Sequence, residues 1–478
     1  MKKLNELVNT TLDIDIESIE EDSRIQGKNI LFCAIKGIKS DGHSFVNNAK
    51  ENGAVAALVE DDVDTDIPTI KVDSVPYSMN KALDNFYDNP TNKMKLVGIT
   101  GTDGKTTTAT VLYQLMNKYK KCGIIGTEVV KCPGYSKDQI VTTPFPKDLF
   151  YIFNEFVNHG CEVMTMECSS ERLGTKRLDG IDYDISIFTN IDSDHLDTHK
   201  TFENYLAAKQ RLFEHTKKDG VCIINNDDLH AKDIIEKCNG KVITYAIDND
   251  ADVKATNVNV QLDHLTFKIM GLLGEHEIYS PLTGKFNAYN LMADLIALYS
   301  LGVDIDEAIK DIKYLQRVPG RQETVDLGQP FKIFVDFTVT AHAWKNLYSF
   351  VKPLTTGKVI AVLGTKGNRF IGRRIDLGRT VCENADHVIF TTGNPKMEDP
   401  LKIITEGMLK EVKTDNYEII LDREEAIKKA VEMAKPGDTI LITGKGVEHH
   451  QEVMGKCVPY DGDLEIASKY VQELMQKN

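Results

Sequence analysis

The chain has 478 residues, of which 41% are hydrophobic and 27% are charged, a composition typical of a folded globular protein. Its net charge of −15 argues against nonspecific nucleic-acid binding, and no apolar run approaches the roughly 18 residues that a membrane span requires. The length exceeds what one core can organise, so about three domains are expected.

Nine cysteines are scattered singly, without a C-x-x-C pair, which favours neither a disulfide framework nor a zinc site. The first residues, MKKLNELVNTTLDIDIES, are too polar for the core of a signal peptide. We therefore expect a cytoplasmic monomer that has neither a membrane nor a nucleic acid as partner.

Residues 1–94 are predicted to form a small α/β domain. A short polar helix precedes two apolar strands, ILFCAIKG and AVAALVE, which are separated by a helical stretch around residues 45–52. The turns DSR (22–24) and KGIKSDGH (36–43) carry hydroxyl, amide and basic groups that suit a phosphate or a ribose. From these residues alone, solvated loops are the simpler explanation.

A second domain is predicted over residues 95–316, and it opens with a strand, a glycine loop and a helix: KLVGITGTDGKTTTATVLYQLM. Gly101 and Gly104 let backbone N–H groups face a triphosphate, Lys105 supplies a positive charge, and the Thr106 hydroxyl can reach Mg²⁺. The general phosphate-loop pattern has glycine where this chain has Ile99. A turn without a ligand remains the alternative.

Further strand and helix signals alternate along this domain: CGIIG, EVMTME, ISIFTNI and GVCIINN. Such alternation predicts a largely parallel sheet, whose ligands bind beyond the carboxyl ends of the strands. Glu167 lies at one strand end and suits Mg²⁺. The stretch DSDHLDTH (192–199) is equally compatible with a solvated turn and with a metal or phosphate site. For Lys209, in a helical run, a surface ion pair is the default explanation.

A helix is predicted from residue 285 in GKFNAYNLMADLIALYS, and RVPGRQE (317–323) has the proline and glycine of a hinge. Beyond it, a doubly wound α/β domain is predicted over residues 317–478 from the strands FKIFVDF, VIAVLG, HVIFTT and DTILITG. Its strand-end loops are GTKGNR, TTGNPK and TGKGVEHHQ, where a ligand would bind.

These motifs, in this order along the whole chain, resemble those of the Mur ligases, and most closely the branch that adds the third amino acid to UDP-N-acetylmuramoyl-dipeptide. The matching pieces are DSR, the DGH loop, GTDGKTTT, Thr-Thr-Pro at 142–144, MECSS, FTNIDSDHLDTH, AAKQRLF, GKFNAYN, PGRQE, GNPKMEDP and GKGVE.

The resemblance implies a three-domain α/β ligase: an N-terminal UDP-substrate domain, a central parallel-sheet ATPase domain, and a C-terminal Rossmann-like domain that binds the amino acid. With ATP and Mg²⁺ it would phosphorylate a substrate carboxylate, and an amino acid's amine would attack the acyl phosphate, in peptidoglycan precursor synthesis. The resemblance also implies that Lys209 is carbamylated and supports a second Mg²⁺ ion.

The resemblance assigns roles to individual residues. The implied catalytic residues are Lys105, Glu167, His195 and Lys209, and the implied metal ligands are Thr106, Glu167, His195 and Lys209. The implied nucleotide-binding residues are Gly101, Thr102, Asp103, Gly104, Lys105, Thr106, Thr107, Asn287, Arg321 and Asp336. The implied substrate-binding residues are Ser23, Thr142, Thr143, Ser169 and Arg177 for the UDP-linked substrate, with Arg369, Asn394, Lys396, Gly444 and Glu448 for the amino acid.

The chain departs from the family pattern at substrate-facing positions. Gly393 and Lys396 stand where diaminopimelate-adding members have aspartate and arginine, and lysine lacks the two-pronged contact that arginine makes to a carboxylate. Three family histidines and a glutamine are also replaced, by Glu171, Val339, Val447 and Thr175. Besides a peptidoglycan ligase, the alternatives are therefore a related ligase for a different amine or acceptor and a nucleotide-binding regulator without catalysis.

Overall fold

The computed structural model describes residues 1–37, 40–127, 129–137 and 141–477. Two residues of the predicted loop KGIKSDGH, 38 and 39, lie outside the described residues. The chain folds into three α/β domains, each built on its own main sheet, which confirms the predicted fold class.

The N-terminal domain is built on a small parallel sheet. Its strands are β3 (Ser18–Glu20), β4 (Ile30–Cys33), β5 (Ala54–Val59) and β6 (Thr69–Lys71), after a separate antiparallel pair, β1 (Lys2–Lys3) and β2 (Asp15–Ile16). Its helices are α1 (Leu4–Leu7), α2 (Val46–Glu51) and α3 (Val75–Phe86). Every residue of β4 is buried, as its apolar sequence predicts.

The central domain contains an eleven-stranded sheet in the order β10-β9-β8-β11-β7-β12-β13-β14-β15-β16-β17. Its strands are β7 (Lys95–Thr100), β8 (Cys122–Ile125), β9 (Val130–Cys132), β10 (Tyr135–Lys137), β11 (Val163–Glu167), β12 (Tyr183–Phe188), β13 (Thr216–Asn225), β14 (Lys241–Ala246), β15 (Val253–Val260), β16 (Leu265–Gly271) and β17 (His276–Ser280). Its helices are α4 (Lys105–Met116), α5 (Pro146–Asn158), α6 (Ser170–Gly174), α7 (Leu196–His199), α8 (Phe202–Glu214), α9 (Ala231–Ile235), α10 (Lys285–Ser300) and α11 (Ile305–Ile312). The strands from β8 to β15 in this order are parallel.

Strand β7 lies between β11 and β12, and its register places the ends of the three strands at one edge of the sheet. Val97 pairs with Thr165 on one side and with Ile185 on the other. Gly98 lies inside this strand, where a Cβ atom would approach Leu212 to 2.7 Å and Tyr183 to 2.9 Å. Close packing therefore accounts for the glycine that precedes the phosphate loop.

Strands β14 to β17 were not predicted. Along β15 and β16 buried and exposed residues alternate, because β15 to β17 pair antiparallel and turn one face to solvent. The apolar runs that mark the parallel strands are absent from such a pattern, so this part of the sheet gave a weaker signal.

The C-terminal domain contains a six-stranded sheet in the order β18-β19-β23-β20-β21-β22, parallel except for β18. Its strands are β18 (Glu323–Val325), β19 (Lys332–Asp336), β20 (Val359–Leu363), β21 (His387–Phe390), β22 (Tyr417–Ile419) and β23 (Thr439–Thr443), with a separate hairpin of β24 (His450–Val453) and β25 (Lys456–Pro459). Its helices are α12 (Ala341–Val351), α13 (Ile371–Asn384), α14 (Pro400–Lys402), α15 (Arg423–Met433) and α16 (Asp463–Lys477).

The predicted domain boundaries, 94/95 and 316/317, stay predictions. The first falls at the start of β7, and the second lies between α11 and β18. Within the described ranges, no helix is both long and apolar enough to cross a lipid bilayer.

A carboxyl group lies unpaired in the core of the central domain. Asp294, on α10, is fully buried, and neither of its side-chain oxygens has a hydrogen-bond partner among the described residues. Burial raises the pKa of Asp294 well above its ordinary value. Burial therefore favours the protonated form of Asp294, and this group reduces stability as the pH rises.

We expect Asp294→Asn to become more stable relative to the parent protein as the pH rises from about 4. In the unfolded chain Asp294 loses its proton near its ordinary pKa, whereas in the native protein the side chain keeps the proton. The parent's free energy of unfolding therefore falls by up to about 1.4 kcal/mol for each pH unit above that pKa. Asparagine does not titrate. Urea unfolding between pH 5 and pH 8 measures the difference, with the exposed Asp219→Asn as control; a difference that does not change with pH would contradict the assignment.

Candidate active site

The phosphate loop joins β7 to α4, and the side chain of its own Lys105 is hydrogen-bonded to the loop backbone. Gly104 has φ +87° and precedes the first residue of α4, a backbone conformation that glycine adopts without strain. The Lys105 ammonium donates to the carbonyl oxygens of Gly101 at 2.8 Å and Thr102 at 3.0 Å. Desolvation lowers the pKa of Lys105, and nearby carboxylates, first that of Glu167, oppose the shift. Thr107 follows in the first turn of α4.

The loop after β12 holds the phosphate loop in place. The backbone N–H of Thr102 donates to the carbonyl of Asn190 at 2.9 Å, and that of Asp103 donates to the Asn190 side-chain oxygen at 3.0 Å. In return, the Thr189 hydroxyl donates to the Asp103 carbonyl at 2.6 Å. Two strand-end loops therefore form one rigid rim.

Thr106 and Glu167 meet at this rim. The Thr106 hydroxyl donates to Glu167 Oε2 at 3.0 Å, and the backbone N–H of Thr127 donates to Oε1 at 2.8 Å. Across the described residues, no group of three or more histidine, cysteine or acidic side chains is arranged to hold a metal. A hydroxyl beside one buried carboxylate nevertheless fits Mg²⁺, which takes few protein ligands and completes its shell with phosphate oxygens and water.

Lys209 is buried, so the default explanation of a surface ion pair is wrong. Its side chain is 1% exposed, and its ammonium nitrogen lies 4.5 Å from the centre of the Tyr205 ring. Burial lowers the pKa of Lys209 well below its ordinary value, and the charge of Lys105 lowers it further. Burial therefore favours the neutral amine form of Lys209. The Tyr205 hydroxyl lies 3.0 Å from the Thr102 hydroxyl of the phosphate loop.

His195 lies on the loop after β12, next to Asp194. Desolvation lowers the pKa of His195 to about 4, against the opposing charge of Asp194, so the imidazole is neutral at neutral pH, as a metal ligand must be. The Asp194 carboxylate also forms an ion pair at 3.0 Å with Arg373 of the C-terminal domain.

The predicted nucleotide residues lie on three elements around the loop. Asn287 and Asn290 are hydrogen-bonded to each other at the start of α10, and Asn290 accepts a hydrogen bond from Thr108 of α4. Arg321 reaches across from the C-terminal domain and donates to Thr106 at 3.5 Å. Asp336 is buried instead within its own domain, where it accepts hydrogen bonds from Gln322 and Thr338.

The predicted UDP-substrate residues adjoin Glu167. Thr143 donates to the Glu167 carbonyl at 2.7 Å and accepts from the Ser169 N–H at 3.0 Å, while Thr142 contacts Thr127 at 3.1 Å. At the domain interface, Arg177 forms an ion pair with Glu21 at 2.8 Å. Ser23 lies two residues beyond Glu21, and its carbonyl accepts from Asn52. Arg177 therefore contacts the N-terminal domain at a residue close to Ser23 in the sequence, whereas Thr143 and Ser169 lie beside Glu167.

The predicted amino-acid residues centre on Glu448. Lys366 donates to Glu448 at 2.7 Å, Asn394 at 2.6 Å and Lys445 at 3.2 Å. Burial alone would raise the pKa of Glu448, but Lys366 and Lys445 lower it. Lys445 is fully buried, and desolvation lowers its pKa to about 8.

The remaining amino-acid residues surround this cluster. Arg369 has no hydrogen bond or ion pair within the described part of the chain. The Lys396 ammonium lies 3.7 Å from Glu452. Gly444 has φ +108° and passes close to Gly364. At Gly393 a Cβ atom would lie 2.5 Å from the Thr365 carbonyl, so an aspartate does not fit there without a backbone shift.

One aromatic ring connects the nucleotide residues with the amino-acid cluster. The Arg321 guanidinium lies 5.2 Å from the centre of the Phe337 ring, and the Lys366 ammonium lies 4.8 Å from it. Phe337 therefore contacts one cation that reaches the phosphate-loop residue Thr106 and one that pairs with Glu448.

Sequence reasoning missed several residues of this site: Thr127, Tyr205, Lys366, Lys445, His342 and Arg373. Thr127 follows the predicted strand CGIIG, and Lys366 and Lys445 lie in strand-end loops that were already singled out, so their position at strand ends was a usable signal. His342 and Arg373 lie on helices that approach the central domain only through the domain arrangement.

Comparison with known proteins gives matches along nearly the whole chain. Three family models match: the Mur ligase middle domain (99–298), the Mur ligase glutamate ligase domain (320–446) and the Mur ligase family catalytic domain (15–89). The UDP-N-acetylmuramoyl-L-alanyl-D-glutamate--2,6-diaminopimelate ligase of Bacillus velezensis is 36% identical, covering 97% of this chain and 96% of that protein. The Clostridioides difficile protein of the same name is 37% identical, with the same coverage.

Solved structures agree. A structure of a UDP-N-acetylmuramoyl-L-alanyl-D-glutamate--2,6-diaminopimelate ligase matches with a TM-score of 0.70 and 27% identity over 99% of both chains. The MurF ligase of Thermotoga maritima in complex with ADP matches with a TM-score of 0.59 over 96% of this chain and 97% of that one, and at 19% identity it supports the fold alone. The chain belongs to the Mur ligase family.

Proposed function

We propose that this protein is an ATP-dependent acid–amino-acid ligase that joins an amino acid to the dipeptide carboxylate of UDP-N-acetylmuramoyl-L-alanyl-D-glutamate in peptidoglycan precursor synthesis. The names of relatives more than 35% identical over nearly the whole chain support this substrate. The observation that carries the proposal is the pairing of Thr106 with Glu167 beside Lys105, linked through Arg321, Phe337 and Lys366 to the Glu448 cluster. Such an arrangement supports a phosphate site and an amine site that lie close to each other.

The chain's own residues divide the reaction between them. Lys105 exchanges its loop carbonyls for phosphate oxygens, and Thr106 and Glu167 would hold Mg²⁺, which neutralises the charge that builds up during phosphoryl transfer. The substrate carboxylate, near Thr142 and Thr143, attacks the terminal phosphorus of ATP, so that an acyl phosphate forms and ADP leaves. The amine held near Glu448 then attacks the acyl carbon, and inorganic phosphate leaves as the amide forms.

Lys209 is proposed to be carbamylated. Its neutral, buried amine can add carbon dioxide and release a proton, which gives a carboxylate in place of an amine. A carboxylate at this position would face the charge of Lys105 and serve as a further oxygen ligand for Mg²⁺.

We expect Thr106→Val to lower kcat by about 100-fold, because it removes the hydroxyl that would bind Mg²⁺ while keeping the shape of the side chain. Thr106→Ser keeps the hydroxyl and should retain most of the activity. Phosphate release measured against Mg²⁺ concentration separates the two variants. Equal rates for valine and serine would rule out this role.

We expect Lys209→Ala to lose at least about 100-fold in kcat while it still binds ATP, because the carbamate acts on the metal rather than on the nucleotide base. With ¹³C-bicarbonate, the parent protein should show a carbamate NMR signal that the variant lacks. Lys218→Ala, which removes an exposed lysine, serves as control and should keep the parental kcat and the carbamate signal. A Lys209→Ala protein with parental kcat would refute the proposed metal arrangement.

The charges around the Glu448 cluster bear on which amino acid is joined, because Gly393 and Lys396 alter the loop that would hold it. Three cationic side chains (Lys366, Lys396 and Lys445) pair with two carboxylates (Glu448 and Glu452), and Arg369 adds a fourth positive charge in the same loop as Lys366. The excess positive charge favours an amino acid whose side chain ends in a carboxylate.

We therefore expect meso-diaminopimelate, or another amino acid with a second carboxylate, to exceed L-lysine by about tenfold or more in kcat/KM. Amino-acid-dependent phosphate release with ATP and UDP-N-acetylmuramoyl-L-alanyl-D-glutamate measures kcat/KM for each amino acid. Lys396→Met should bring the kcat/KM values for the two amino acids closer together. A preference for L-lysine would overturn the charge argument. No turnover with any amino acid would move the activity to another acceptor.

A further inference from the structure

Two ion pairs join the C-terminal domain to the rim of the phosphate loop. His342, in the first turn of α12, places Nδ1 2.9 Å from the carboxylate of Asp103, a residue of the phosphate loop itself. The hydrogen bond with Asp103 raises the pKa of His342, which favours its charged form. The side-chain contact of Asp103 with His342 is thus independent of the backbone bonds that shape the loop.

The second pair joins Arg373, in the first turn of α13, to Asp194 at 3.0 Å. Both partners are largely buried, with side-chain exposures of 17% and 7%. Arg373 also donates from Nε to the Val339 carbonyl at 3.1 Å, which ties α13 to the loop after β19. The guanidinium is therefore held from its own domain and directed at the central one. We refer to Asp103 with His342 and Asp194 with Arg373 as the bridging pairs.

The two carboxylates of the bridging pairs, Asp103 and Asp194, lie close enough to Lys105 of the phosphate loop to influence its charge. The charges of Asp103 and Asp194 each raise the pKa of Lys105, against the larger effect of desolvation, so both lie within electrostatic range of the group that would hold phosphate. A carboxylate without its cation at this position would repel a triphosphate. The cations that cancel this repulsion come from the other domain.

We propose that His342 and Arg373 are positioning residues that couple domain closure to ATP binding by neutralising Asp103 and Asp194 when the C-terminal domain closes. This proposal rests on the proposed function in one respect: ATP binds at the phosphate loop. By linkage, closure strengthens ATP binding and ATP favours closure to the same extent. In the same arrangement of the domains, Arg321, which reaches the phosphate loop, and Lys366 of the Glu448 cluster both contact the Phe337 ring.

Removal of either cation should weaken ATP binding. We expect His342→Gln and Arg373→Met each to raise the Kd of the full-length protein for a non-hydrolysable ATP analogue with Mg²⁺ by about threefold to tenfold. Arg373→Lys should recover most of the affinity. Arg379→Met, which removes an exposed arginine from the same helix, and His387→Gln, which removes a histidine paired within the C-terminal domain, are the matched controls and should leave Kd unchanged.

A suppressor variant separates charge neutralisation from a purely structural role. Asp103→Asn keeps the backbone and removes the repelling charge, so Asp103→Asn with His342→Gln should return Kd to within about twofold of the parent value. If the double variant binds no better than His342→Gln alone, the proposed neutralisation is wrong. Because binding is measured without turnover, these results do not depend on which amino acid is ligated.

Small-angle X-ray scattering supplies the second readout. The parent protein should become more compact as the ATP analogue is added, and the variant that lacks both cations should need about tenfold or more of the analogue for the same change. If the variant that lacks both His342 and Arg373 becomes compact at the same analogue concentration as the parent protein, and its Kd is unchanged, the proposed coupling is wrong.

Discussion

Parallel pairing of β7 with β11 and β12 is the constraint on which the rest of the site depends. Because the three strands run in the same direction and in register, the phosphate loop, Glu167 and the loop that contains Asn190 emerge at one edge of the sheet. The hydrogen bonds between Thr106 and Glu167 and between Asp103 and Asn190 follow from that placement. A slip of one residue in β7 would turn its buried side chains to the wrong face and separate all of these contacts.

The charge states of the site residues depend on how deeply each side chain is buried at this edge of the sheet. Burial lowers the pKa of Lys209 and favours its neutral form. Glu448 is also largely buried, but Lys366 and Lys445 lower its pKa and favour the carboxylate. The C-terminal domain adds His342, Arg373 and Arg321 to the phosphate side, so the complete set of charges is present only when both domains meet.

Much of the fold could be predicted from the sequence, since the parallel strands are short apolar runs and the phosphate loop follows one of them. The half-exposed meander of β15 to β17 has no such run, and its strands were missed. The burial of Lys209 had a signal that was not used: Tyr205, Ala208 and Leu212 lie on the same buried side of α8. The contacts of Arg373 and His342 could not be predicted, because they depend on domain orientation rather than on local periodicity.

The central claim is that a substrate carboxylate is phosphorylated before the amide forms. The most direct test supplies UDP-N-acetylmuramoyl-L-alanyl-D-glutamate with ¹⁸O in the carboxylate that reacts, together with ATP and the preferred amino acid, and measures the isotope in the released phosphate. With both oxygens of that carboxylate labelled, we expect one ¹⁸O atom to be transferred to phosphate for each amide formed. Amide formation with unlabelled phosphate would contradict it.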